Sequence, residues 1–201
     1  MSLSSHNSNY PNAQPFSGIV ETTMDALRLV EAARQGRIPR IVRRLNSSER
    51  QEMIKSGAVF VFSVEESGIK RWTDSMLWSP SRIDGNFLIY TEMLERTARP
   101  SQKRIGEPVT REDAMSGDGF ANYTVSNASL CLKTITVTTD DGDLHIVSYS
   151  TREDLLLGRL ATIASEPGIA MMKLDPSRFI FSRFRYPPRV VFDERGLAVV
   201  V

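Results

Sequence analysis

The chain has 201 residues and a mass of 22.6 kDa, which fits one domain or two small ones, and its 41% hydrophobic content excludes wholesale disorder. A formal net charge of +1 excludes a globally basic nucleic-acid binder but leaves room for a local patch, since residues 16–110 carry 15 Lys/Arg against 12 Asp/Glu and residues 111–201 carry 10 against 12. A single cysteine, Cys131, excludes an internal disulfide and a cysteine-rich zinc site and points to a reducing compartment, while no apolar run reaches the roughly 18 residues of a membrane helix.

Residues 1–15 are polar, lack a basic-then-apolar leader pattern and read as a flexible N-terminal tail. Met24, Leu27, Val30 and Ala33 form one helical stripe, with Thr23 as its expected cap and Gly36 as its stop. Pro39 breaks that helix, and Ser47 or Ser48 opens a second one that ends at Gly57. Ala58 to Val64 is a solid apolar run that predicts a buried strand, and Asn86 to Met93 predicts another. Residues 97–127, rich in Arg, Pro and Gly at their start, read as an internal linker. Beyond it, Leu130, Leu132, Thr134, Thr136 and Thr138 share one strand face and Cys131, Lys133, Ile135 and Val137 the other. Asp141-Gly142 is a hairpin signal and Leu144 to Tyr149 the return strand. Thr151 caps a short helix, with Asp154 placed to complete a capping box. The stretch SRFIFSRFRYPPRVVF predicts one strand before Pro187 and one after Pro188. The pattern is α+β around antiparallel strands with short helices, and it contains no repeats.

Nothing in the chain marks a catalyst or a cofactor site. Cys131 and His145 face each other across the predicted hairpin, but both lie in regular strands with no acidic group to orient the base. No phosphate-binding glycine loop and no calcium loop occurs, and Asp140, Asp141 and Asp143 read as a solvated turn. No metal, no cofactor and no enzymatic role is expected.

The basic residues carry more information. Arg34, Arg37, Arg40, Arg43 and Arg44 fall within eleven residues without an acid among them, spaced to converge on one ligand. Guanidinium forks suit phosphate oxygens and base edges. Lys70, Arg71 and Arg82 bracket Trp72 and Trp78 in GIKRWTDSMLWSPSRIDGNF. Each indole reads as a buried support, and two buried rings stiffen the loop that carries Lys70 and Arg71. Asp74 is placed to orient Arg71 or to cap a turn, Ser79 and Ser81 to donate hydroxyls to phosphate, and Gly85-Asn86 to relieve a tight turn. The residues alone favour a nucleic-acid module, with a protein- or phosphopeptide-interaction domain as the alternative. Duplex DNA needs positive charge spread over a surface, whereas a phosphopeptide needs one pocket.

GIKRWTDSMLWSPSRIDGNFLIY closely resembles the signature of the WOPR domain, the Gti1/Pac2 family of fungal transcription regulators. The resemblance begins at GIVETTMDALRLVEAARQGRIPRIVRRLNSSERQEMIKSGAVFVF and resumes at LCLKTITVTTDDGDLHIVSYSTREDLLLGRL. It implies one DNA-binding domain over 16–186, built from segments 16–96 and 128–186 with the linker between, followed by an extension at 187–201. It also implies a nuclear regulator of fungal development or morphology whose partners are double-stranded DNA and further transcription regulators, with no membrane. Carried over residue by residue, it makes Lys70 and Arg71 the basic DNA-contact loop. Arg43 and Arg44 become the basic pair before the second helix, and Lys133 a basic strand position of the second segment. Trp72, Trp78, Ser79, Pro80, Ser81, Arg82, Gly85, Asn86 and Phe87 match the signature. Arg71 is the expected narrow-groove contact, fitting an A/T-rich element, and Arg43, Arg44 and Lys133 the phosphate contacts. Thr73, after Lys70-Arg71-Trp72, is a candidate phosphorylation site. The chain departs from many relatives at Ser75, where they have Gly, and at Ser150, where they have an aromatic residue.

Overall fold

The computed structural model describes residues 14–95, 123–126 and 128–201, so most of the expected tail and linker lies outside the described residues. In chain order the elements are β1 (Phe16–Ser17), α1 (Thr23–Arg34), α2 (Ser47–Met53), β2 (Ala58–Ser63), α3 (Val64–Ser67), β3 (Arg82–Asp84), β4 (Phe87–Thr91), β5 (Leu94–Glu95) and β6 (Tyr123–Thr124). They continue with β7 (Leu130–Thr139), β8 (Gly142–Thr151), α4 (Arg152–Leu156), α5 (Pro167–Ala170), β9 (Val190–Phe192) and β10 (Ala198–Val200). The fold is α+β. Its centre is a six-stranded sheet in the order β1-β2-β8-β7-β4-β3, with every neighbouring pair antiparallel. The β7–β8 hairpin closes at Gly142, whose φ of 111° falls where a side chain is strained.

Strand alternation gives the sheet two different faces. Val59, Val61, Ile135, Val137 and Ile146 pack against Leu27, Val30 and Ala33 of α1. Phe60, Phe62, Leu132, Val147 and Tyr149 face the other way and pack with Ile41, Leu45, Met53, Ile69, Trp72 and Trp78. The first helix thus covers one face, and a mostly irregular layer containing the tryptophan loop covers part of the other.

Several local expectations shift. Thr22, one residue earlier than expected, caps α1 in a box with Asp25. Asn46 rather than a serine caps α2, its side chain accepting from Glu49 N at 2.9 Å while Asn46 N donates to Glu49 at 2.7 Å. Thr151 does cap α4, its hydroxyl accepting from Asp154 N at 3.1 Å, but its own backbone N–H donates to Ser56 Oγ at 3.0 Å, so the expected box with Asp154 is not closed. The strand expected before Pro187 is absent, and two 3₁₀ turns, Pro176–Arg178 and Phe181–Arg183, occupy that stretch. After Pro188, β9 pairs with β10, and Val200 of that hairpin joins the α1-side core.

Candidate nucleic-acid interface

Residues 68–81 form the layer over the second sheet face, and one carboxylate organises it. Asp74 is 8% exposed. It accepts from Tyr149 Oη at 2.6 Å, from Trp78 Nε1 at 3.1 Å and from Met76 N at 3.1 Å. Tyr149 in turn accepts from Trp72 Nε1 at 2.7 Å. Both indole N–H groups are therefore satisfied through Asp74 or its phenol partner, as half-buried polar atoms require. Burial, and then the charge of Asp74, push the Tyr149 hydroxyl far above the ordinary phenol range, so it remains a donor. Trp72 stacks on Phe62 at 5.4 Å and packs on Phe60 at 5.1 Å. Both indoles are half-buried and packed against the sheet, where the sequence predicts buried supports. Asp74 does cap a turn, but its orienting bonds go to Trp78 and Tyr149 and not to Arg71.

Lys70 and Arg71 emerge exposed from this braced loop. Among the described residues their side chains make no hydrogen bond or ion pair. Arg44 Nη1 donates to the Arg71 carbonyl at 3.2 Å, which fixes the backbone beneath them. Thr73 is exposed beside them, not a buried hydroxyl. Lys70 and Arg71 stand at the rim of a groove of about 460 Å³, also lined by Trp72, Trp78, Leu132, Thr134, Thr136 and His145. On its floor Thr136 Oγ1 and His145 Nδ1 lie 2.9 Å apart, the imidazole stacks on Phe62, and burial lowers its pKa. Cys131 points to the opposite face, since it pairs with Ser150 while His145 pairs with Thr136. Among the described residues no thiol–imidazole pair exists.

The other basic residues do not converge. Arg34 binds Asp140 and Asp141, Arg37 the Gly168 carbonyl, Arg40 Glu66, and Arg43 Glu49. The Arg43–Glu49 pair is two-pronged, at 2.8 and 2.6 Å, with Glu49 buried. The Arg43 hydrogen bond holds the Glu49 carboxyl below the usual range and raises Arg43. Asp140 and Asp141 of the expected solvated turn are exposed, and both also partner Arg34. Lys133 lies on the α1 face, away from Lys70 and Arg71. Its ammonium sits 4.0 Å above the Phe87 ring and donates to Glu21 O at 2.7 Å, and burial lowers its pKa. That placement does not suit the expected phosphate contact. Arg82 is exposed on edge strand β3, and its register with Ile89 puts it on the Lys133 side. Ser79 is also committed: its hydroxyl donates to Pro80 O at 3.0 Å and accepts from Thr91 N at 3.0 Å. Ser81 is exposed near the loop's end. Gly85 has the positive φ, 58°, of the expected turn. Asn86 does more than the turn requires. It donates to Thr23 Oγ1 at 2.9 Å and Tyr186 O at 2.8 Å and accepts from Tyr186 N at 2.8 Å, binding the C-terminal segment to the start of α1. The residue that sequence reasoning missed is Tyr149. Its strand position was legible, but its 75-residue reach to Asp74 leaves no local mark.

A two-faced antiparallel sheet carrying a braced, cationic, unpaired loop beside an open groove defines an α+β binding module that presents fixed positive charge. The Gti1/Pac2 family model matches residues 15–110. The global transcription regulator FGP1 of Gibberella zeae is 36% identical, covering 92% of this chain and 65% of its own length. The WOPR domain of Wor1 from Candida albicans, solved in complex with a 13-bp double-stranded DNA, superposes with a TM-score of 0.59 at 30% identity, covering 81% of this chain and 92% of that one. The chain belongs to the Gti1/Pac2 (WOPR) family of fungal transcription regulators. It spans about half the length of several curated relatives, 58% of the global transcription regulator sge1 of Gibberella moniliformis (33% identical over 77% of this chain) and 44% of sge1 of Verticillium dahliae (30% over 89%).

Proposed function

We propose that this protein is a nuclear transcription regulator of fungal development that binds double-stranded DNA in a sequence-specific way through the Lys70–Arg71 loop. The observation that carries the reading is the pairing of two unpartnered cations with a loop already ordered by Trp72, Asp74, Trp78 and Tyr149. Ordering entropy is spent in folding, so little remains to be lost on binding. Arg71 reads a narrow, A/T-rich minor groove, where negative potential is focused, and Lys70, Arg44 and exposed Ser81 contact the flanking backbone. Arg43, Ser79 and Lys133 support the domain, because their polar groups are already used. Further transcription regulators join on the promoter. The solved relative bound to a 13-bp duplex supports the reading.

The test is a titration of a selected duplex and a random duplex at several salt concentrations. Arg71→Ala should weaken the selected duplex by about 1–3 kcal/mol and the random one by less. Equal losses would make Arg71 a phosphate contact. No duplex binding by the unaltered chain at low salt would leave a protein- or phosphopeptide-binding module as the function. Phosphate on Thr73 would add roughly two negative charges beside Lys70 and Arg71 and should weaken both duplexes; unchanged affinity of stoichiometrically phosphorylated protein would remove that switch.

A further inference from the structure

We propose that Arg183 and Arg185 form a second phosphate-gripping rim of the groove, opposite the Lys70–Arg71 loop. The inference rests on the duplex-DNA reading above and extends it to a segment of the chain that the basic signature does not include. A hollow of about 270 Å³ is lined by Leu88, Thr134, Thr136, Arg183 and Arg185 among others. It shares Thr134, Ile135 and Thr136 with the larger groove, so the two are continuous across β7. The hollow exists because β4 pairs with β7 only as far as Thr134. Beyond that point the C-terminal segment runs along the freed edge: Ile180 N donates to Thr138 O at 2.9 Å, and Phe179 bridges to Thr139.

The two arginines are held as firmly as the Lys70–Arg71 pair. Phe184 between them is 8% exposed and enters the α1-side core. The backbone N–H and C=O of Tyr186, next in line, both bond the Asn86 side-chain amide. Both flanking arginines are exposed, and among the described residues their side chains make no hydrogen bond or ion pair. Unlike Arg34, Arg40 and Arg43, which pair with acids of the same chain, they leave positive charge uncompensated at the surface. The floor between the rims is the width of β8 and β7, roughly 10 Å at about 4.8 Å per strand. It carries hydroxyls on Thr134 and Thr136 and the exposed edge of Leu88. A polyanion with charge on two lines, a duplex backbone, matches two cationic rims across a neutral floor better than a ligand with one phosphate does.

Titrations of the selected and the random duplex across salt concentrations test this, using the full chain, Arg183→Ala/Arg185→Ala, and Arg195→Ala as a control for loss of exposed charge elsewhere. The double variant should weaken both duplexes by the same factor and lower the slope of log affinity against log salt by about 1.8, roughly 0.9 per phosphate contact. Arg183→Lys/Arg185→Lys should recover most of that slope. An unchanged slope in a folded double variant, an equal drop for Arg195→Ala, or a loss confined to the selected duplex would each overturn the proposal while leaving the Lys70–Arg71 reading in place. Failure of the unaltered chain to bind any duplex would overturn both. Modification of the unaltered chain with an arginine-selective dicarbonyl removes any dependence on how the variants fold. Bound duplex should protect Arg183 and Arg185 but not Arg195, and equal reactivity with and without duplex would also overturn the second rim.

Discussion

Ser75 is the only non-glycine among the described residues with a positive φ, 68°. An L-residue there costs about 1–2 kcal/mol from the crowding of Cβ against its carbonyl, and glycine avoids it at a backbone-entropy cost of roughly 0.5–1 kcal/mol. The strain sits one residue after Asp74, in the turn that brings Met76 N and Trp78 Nε1 back onto that carboxylate. The turn is retained because Asp74 and its donors over-determine it. The Ser75 side chain is exposed and makes no hydrogen bond among the described residues. Ser75→Gly should therefore stabilise the protein by about 0.5–1 kcal/mol, a rise in Tm of roughly 1–4 °C for a chain of this size. Thermal melts of the two proteins decide the matter. A lower Tm for the glycine variant would mean that the turn is held by something other than the Asp74 network.

At the scale of elements, α2 shows how one side chain can serve folding and charge together. Glu49 closes the capping box with Asn46 and grips Arg43 from a buried position. Its carboxyl is held below the ordinary range, with the Arg43 hydrogen bond as the largest cause. A carboxylate whose folded pKa is depressed adds stability that is complete above the unfolded value and is lost as pH falls through the folded one. Glu49→Gln should cost about 1–3 kcal/mol at pH 7, and the gap to the unaltered protein should narrow in urea melts as pH falls below the ordinary carboxylate range. A gap that stayed constant with pH would assign the loss to packing alone. The capping region was legible in the sequence, although Ser47 and Ser48 competed with Asn46 for the cap because all three residue types perform the same chemistry. Strand alternation in β7 and β8 and the Asp141-Gly142 turn were legible because period-2 patterning and turn chemistry are local. The fate of the arginine run was not. Apart from Glu31, one turn before Arg34, the acids and carbonyls that take up Arg34, Arg37 and Arg40 lie 26 to 131 residues away, and a run of like charge looks the same whether it faces solvent or is paired through tertiary contacts. The stretch before Pro187 read as a strand. Its phenylalanines instead reach the core through two tight turns along the edge of β7.

At the scale of the whole molecule, the order of strands decides how the two sequence segments depend on each other. The first segment supplies β1, β2, β3 and β4, yet β2 and β4 do not touch: the β8–β7 hairpin of the second segment lies between them. Without that hairpin the first segment keeps only two separate strand pairs, β1–β2 and β3–β4, and isolated two-stranded pieces are marginal in water. The loss extends to the proposed interface. Tyr149 of β8 joins Trp72 to Asp74, so the Lys70–Arg71 loop is braced by a residue from the other segment. The hairpin alone fares no better, since α1 and the tryptophan layer cover its two faces. Residues 1–96 and 128–201, expressed separately, should therefore each lack a cooperative thermal transition, while the intact chain melts once. Mixing the two pieces should restore both the near-ultraviolet circular dichroism of the packed tryptophans and duplex binding, because the brace and the groove floor form only in the joint sheet. A sharp independent melt of 1–96, or two separated transitions in the intact chain, would show that the segments fold as separate units, and the bridge from Tyr149 to the basic loop would then be a contact between finished parts rather than a condition for the loop's shape.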